Sequence, residues 1–253
     1  MKRILALSLS LLAVLAGRPA AAAEVVMAVG RSLPPYVIVD EWRGMEYDVV
    51  REALALEGHT LTPKFVSFAR VVRELESGEV NAAMTMRPDS GVKAFYSDSH
   101  VTYRNYAITL ASRNIVIKKV EDLAGKSVMA FQNASLYLGP AYKAVADGNP
   151  FYREEARQAV QPLQLFLGRV DVVVADRFIF GWFANDPEVK AKVDTTQGLR
   201  FHPIFPATDY HVAFRDAALR DSFNRGLKKL RDNGTYARIV QRYSLYLKDE
   251  SGG

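Results

Sequence analysis

Residues 25–86 read VVMAVGRSLPPYVIVDEWRGMEYDVVREALALEGHTLTPKFVSFARVVRELESGEVNAAMTM. Val25 to Val29 is apolar without a break, as a strand buried on both faces requires. Leu33-Pro-Pro-Tyr36 then forces an extended, turning segment, because a residue before proline is pushed out of the helical region. Asp40 to Gly44 reads as a hairpin tip. From Tyr47 to Leu56 the apolar residues return at helical spacing (Val49, Val50, Ala53, Leu54), and Gly58 stops the run. Leu61 to Phe65 is a strand, Phe68 to Leu75 a short amphipathic helix ended by Gly78, and Val80 to Met86 a further buried strand. The order β-α-β-α-β predicts a mainly parallel sheet covered by helices.

The alternation restarts further along. Strands are predicted at 106–111, 127–130, 170–175 and 210–214. Helices are predicted at 120–123, 136–146, 162–167, 178–183, 217–231 and 236–246. In the long helix from Ala217, Leu219, Phe223, Leu227 and Leu230 share one face. Two successive β/α sets imply two lobes, and the cleft between two lobes is a favoured place for a small ligand.

Ahead of this lies a different kind of segment. Lys2 and Arg3 give a basic start, Ile4 to Ala16 is almost wholly apolar, and Arg18-Pro19 is followed by Ala20-Ala-Ala-Ala23 and Glu24. A basic region, a short apolar run and a small-x-small site, in that order, predict a signal peptide over residues 1–23, cleaved after Ala23. The apolar run is too short to span a bilayer as a helix, which needs about 20 residues. The formal charge of +5 includes Lys2, Arg3 and Arg18, so the remaining 230 residues carry about +2, with the charges interspersed. No clustered basic face of the kind nucleic acid needs is visible. There is no cysteine, which excludes a thiol nucleophile, a cysteine metal cage and a lipid-attachment cysteine. His59, His100, His202 and His211 are isolated, with no ligand spacing between them. No metal, cofactor or catalytic motif is expected, and the predicted product is free in a periplasm.

Taken in order, the motifs resemble the periplasmic solute-binding proteins of family 3, receptors for polar amino acids in ABC transporters. The resemblance covers residues 25–246. It rests on Leu33-Pro-Pro-Tyr36, Gly44-Met-Glu-Tyr-Asp48, Leu75-Glu-Ser-Gly-Glu-Val-Asn81, Tyr96-Ser-Asp98, Val120-Glu-Asp-Leu-Ala-Gly-Lys126, Gly168-Arg-Val-Asp-Val-Val-Val-Ala-Asp176 and Leu230-Arg-Asp-Asn-Gly-Thr-Tyr-Ala-Arg-Ile239. It implies an α/β, two-lobed periplasmic-binding-protein-like fold with two hinge strands and a central cleft. The hinge strands would lie near 107–111 and 208–213. Lobe 1 would comprise residues 24–110 and 208–253, and lobe 2 residues 111–207. The implied partners are a small polar solute, an amino acid or a related compound, and an ABC permease in the inner membrane; a monomer is expected.

The same resemblance supplies a candidate ligand set: Phe68, Thr85, Arg87, Ser135 and Asp176. An arginine suits a ligand carboxylate through its two-pronged fork, and an aspartate suits an ammonium. Asp176 matches the lobe-two aspartate of the family, although Asp at this place also suits a helix N-cap. Ser135 falls where the family offers a hydroxyl and backbone N–H groups, and Phe68 where an aromatic stacks on the ligand. The family's arginine should stand six residues before Tyr96, where this chain has Ser90; Arg87 is the nearest substitute. Two other readings fit the chain. A secreted enzyme of the cyclohexadienyl dehydratase type would recruit Glu46, Asp98 and Asp176, and a degenerate sensor or accessory binding protein would explain the vacant arginine slot.

Overall fold

A computed structural model describes residues 22–31 and 33–247. The predicted signal peptide therefore lies, except for its last two residues, outside the described residues. The strands are β1 (Glu24–Gly30), β2 (Thr60–Val66), β3 (Ala82–Met86), β4 (Phe95–Tyr96), β5 (Val101–Tyr103), β6 (Asn105–Leu110), β7 (Val128–Phe131), β8 (Tyr152–Glu155), β9 (Val172–Asp176), β10 (Leu199–His202) and β11 (Thr208–Phe214). The helices are α1 (Met45–Ala55), α2 (Phe68–Ser77), α3 (Ala134–Tyr137), α4 (Pro140–Gly148), α5 (Val160–Phe166), α6 (Arg177–Ala184), α7 (Pro187–Lys190), α8 (Ala217–Asp232) and α9 (Thr235–Ser244).

Two sheets carry the mixed α/β fold. The first has the order β2-β1-β3-β11-β4, with β5 also paired to β11; the second has the order β10-β6-β9-β7-β8. β1 runs parallel to both β2 and β3, and β7 runs parallel to β8 and β9. Val172, Val173, Val174 and Ala175 of β9 are wholly buried. β9 lies between β6 and β7 with both faces covered, which accounts for its unbroken apolar run. Each fully buried aliphatic side chain of this kind contributes about 1.5–3 kcal/mol.

The chain changes sheet twice. Between β5 and β6 it passes through the single residue Arg104, and between β10 and β11 it returns through residues 203–207. Both passages fall a few residues ahead of the predicted 107–111 and 208–213. β6, assigned from the sequence to the end of the first lobe, instead pairs with β9 and β10 in the second sheet.

The C-terminal helices pack on the first sheet's side. Phe223, Leu227 and Leu230 are buried in the core that also holds Val50, Ala53 and Leu54 of α1. Gly226 lets the two helices approach: a Cβ there would lie 2.0 Å from the Ala53 carbonyl oxygen. The helix predicted over 136–146 is broken in two, because Gly139 takes a left-handed conformation (φ +91°) and Pro140 restarts the chain as α4.

The two sheets' cores meet through α6. Ile179 is buried in the first sheet's core, and Phe178 and Phe183 pack against it. Trp182 lies 4.4 Å, ring to ring, from Tyr246. Gly181 faces the Tyr246 carbonyl so closely that a Cβ would sit 2.1 Å from it.

Candidate functional site

Asp176 ends β9 and N-caps α6. Its Oδ1 accepts hydrogen bonds from the backbone N–H groups of Phe178 (2.9 Å) and Ile179 (3.1 Å). Its Oδ2 accepts one from the Arg104 N–H (2.8 Å). The Tyr36 hydroxyl lies 3.1 Å from both oxygens. Asp176 is only 3% exposed, so four internal donors share a carboxylate that solvent scarcely reaches. Burial pushes its pKa up to about 6, against the hydrogen bonds, which favour the ionised form.

Tyr36 connects this carboxylate to a second buried group. Its ring stacks on Tyr103 at 3.8 Å and 16°. The Tyr103 hydroxyl donates to Glu46 Oε2 (2.9 Å), while Thr85 Oγ1 donates to Glu46 Oε1 (2.9 Å) and His100 Nε2 lies 2.8 Å from that oxygen. Glu46 and His100 are wholly buried. Burial, followed by the charges of Asp176 and Glu46, holds the Tyr36 and Tyr103 hydroxyls far above their ordinary pKa. Thr85 has φ +59°, a conformation rare for a β-branched residue. Its bond to Glu46 anchors the end of β3, two residues before Arg87.

The remaining predicted residues are also engaged internally. Arg87 donates through Nε to Asp89 Oδ1 (2.9 Å) and through a terminal nitrogen to Asp89 Oδ2. That bond raises the Arg87 pKa and lowers that of Asp89. Ser135 donates to Glu154 Oε1 through its backbone N–H (2.9 Å) and its hydroxyl (2.8 Å). The Asn133 N–H (2.5 Å) and the Tyr152 hydroxyl (2.8 Å) donate to Glu154 as well. Burial works to raise the Glu154 pKa, but the bonds from Ser135, Tyr152 and Asn133 outweigh it and hold it below the usual range. Phe68 opens α2 with its ring laid on Gly30, where a Cβ would lie 2.3 Å from a ring carbon.

An open cavity of about 410 Å³ lies where residues 87–89, 137–139 and 206–209 converge. Its walls come from the turn after β3, the stretch joining α3 to α4, and the second passage between the sheets. The volume lies within the range of about 300–1,000 Å³ usual for small-molecule sites. Of the five predicted ligand residues, Arg87 lines it; Phe68, Thr85, Ser135 and Asp176 are not among its described lining residues. Asp98, one of the three acids an enzyme would recruit, lines a separate surface groove with Asn224, Arg225, Lys228, Arg231 and Asp232.

Tyr36, Glu154, Tyr137 and Asp209 are the functional candidates that motif reasoning passed over. Tyr36 was visible as the end of Leu33-Pro-Pro-Tyr36, but nothing in the sequence ties it to a carboxylate 140 residues away.

The model of the bacterial extracellular solute-binding proteins, family 3, matches residues 25–246. No curated protein matches the chain at a significant level. Among solved structures, an ancestral arginine-binding protein bound to arginine is 22% identical, with a TM-score of 0.64 over 87% of this chain and 97% of its own. An amino acid ABC transporter substrate-binding protein from Streptococcus pneumoniae, bound to L-arginine, is 18% identical, with a TM-score of 0.63 over 89% of this chain and 97% of its own. A histidine kinase sensor domain with similarity to periplasmic binding proteins is 18% identical, with a TM-score of 0.67 over 87% of this chain and 95% of its own. At these identities the likeness is one of fold.

Proposed function

The chain belongs to the bacterial extracellular solute-binding proteins, family 3, and from that premise we propose that it is a non-catalytic receptor. In this reading it captures a small polar solute, an amino acid or a related compound, in the periplasm. It then delivers that solute, as a monomer, to an ABC permease in the inner membrane. One observation carries the proposal: an open cavity of about 410 Å³, with a guanidinium on its wall, where segments of both α/β units and a connection between them converge. The amino-acid receptors among its fold relatives support it.

The engagement of Asp176, Ser135 and Arg87 by the chain's own groups favours a second reading, a sensor or accessory protein whose inherited site has been closed. A thermal-shift screen of the exported protein against amino acids, amines and organic acids, followed by calorimetry on the hits, tests both. A saturable hit in the micromolar range or tighter supports the receptor. No hit in any class refutes it, and turnover of prephenate or arogenate would replace it by the enzyme reading.

A further inference from the structure

We infer that the cavity takes a small organic cation that carries no carboxylate, with Asp209 as its counter-ion and Tyr137 as its aromatic cover. This rests on the receptor reading and narrows its solute class.

Arg87 is the one cation among the cavity's described lining residues. Its guanidinium already holds a carboxylate: Nε and a terminal nitrogen both donate to Asp89, the two-pronged arrangement that a ligand carboxylate would otherwise receive. A second set of donors lies just ahead of the Tyr137–Gly139 wall. There the Asn133 and Ser135 N–H groups and the Ser135 hydroxyl all converge on Glu154. An incoming carboxylate would therefore have to compete with Asp89 for Arg87, or with Glu154 for the donors at Asn133 and Ser135, whereas a cation meets no such competition.

For a cation the same walls are favourable. The lining counts two carboxylates, Asp89 and Asp209, and one guanidinium, which leaves it with one net negative charge. Asp209 Oδ1 accepts from Thr102 Oγ1 at 2.5 Å, and the described residues offer Oδ2 no hydrogen bond, so it is available to a ligand N–H. Tyr137 is 63% exposed and presents a ring against which a cation is attracted when it lies within about 6 Å of the centroid. Pro88, Leu138, Pro206 and Ala207 supply apolar contact for a short carbon skeleton.

Matched pairs that differ only in the carboxylate test this directly: L-arginine with agmatine, L-ornithine with putrescine, and L-phenylalanine with phenethylamine, titrated calorimetrically into the exported chain. The decarboxylated member of at least one pair should bind about tenfold tighter or more than its parent. Asp209→Asn should weaken that binding by about tenfold or more, and Tyr137→Ala by several-fold. Asp89→Asn, which frees Arg87, should raise affinity for the parent amino acid. These three residues are exposed, and circular dichroism of each variant confirms that it is folded. The inference is overturned if the amino acid binds as tightly as its amine, or if Asp209→Asn leaves amine binding unchanged. If no pair member binds while an anionic or neutral solute does, the cation inference falls and the receptor reading stands; if no solute of any class binds, both fall.

Discussion

Replacing Asp176 by asparagine keeps an N-capping side chain on α6 and removes an ionisable group buried between the two cores. In the unfolded chain this carboxyl ionises near its ordinary 3.8, and in the folded protein near 6. Between those values the folded state holds a proton that the unfolded state has released. Its contribution to stability is therefore fully present below the unfolded value and is lost as the pH rises through the folded one. The gap from 3.8 to about 6 corresponds to about 3 kcal/mol, at about 1.4 kcal/mol per pH unit. Glu57, Asp89, Glu154 and Asp171 have lowered pKa values and act in the opposite direction, so the raw pH curve mixes signs. The difference between the parent and Asp176→Asn isolates the one group. Urea unfolding at steps from about pH 4 to about pH 7 should show the parent's advantage over the variant shrinking by about 2.4 kcal/mol, most of the full gap. Tyr36→Phe supplies a second handle. It removes a donor that favours the ionised form, so its loss of stability should extend to higher pH than the parent's. A difference between parent and Asp176→Asn that stays flat or grows over this window would refute the reasoning. It would mean that the four hydrogen bonds outweigh burial and keep Asp176 ionised throughout.

Gly181→Ala places a methyl 2.1 Å from the Tyr246 carbonyl oxygen and should destabilise by on the order of 1–3 kcal/mol despite the better helix propensity of alanine; an unchanged melting temperature would show that α6 and the C-terminal segment do not pack this closely. Glu46→Ala removes the acceptor shared by Thr85, His100 and Tyr103 and should cost on the order of 3 kcal/mol or more in chemical denaturation; a loss below about 1 kcal/mol would mean the three groups find other partners. Intact-mass measurement of the exported protein should give a chain beginning at Glu24; retention of Met1 to Ala23 would dismiss the signal peptide.

The two-sheet α/β plan is legible because its central strands are apolar on both faces. Val25–Val29 and Val172–Ala175 announce themselves as strands in any context. The strands that escaped notice lie elsewhere. β8 and β10 are the two edges of the second sheet, β4 is an edge of the first, and β5 lies off its main path. Edge strands need no continuous apolar run, and Tyr152-Arg-Glu-Glu155 shows none. The first crossing, which the resemblance implies near 107–111, lies at Arg104, directly after β5.

The site is less legible, for a different physical reason. Motifs identify what a side chain offers, but a charged group's role depends on what already satisfies it. Asp176 stands at a strand end and a helix start, and both uses are readable from nine residues of sequence. Yet its availability to a ligand is decided by Tyr36, which arrives from a turn in the other sheet's core. Ser135 is readable as a donor at a turn, yet Glu154, 19 residues on, reaches it only because β7 pairs with β8. Arg87 differs: its partner, Asp89, is two residues away. Such a local pair can open at the expense of an exposed ion pair, on the order of 0–1 kcal/mol, whereas releasing Asp176 would disrupt buried bonds from several elements. Any solute that binds here with a carboxylate should therefore do so by taking Arg87 from Asp89 and leave the buried Asp176 junction intact.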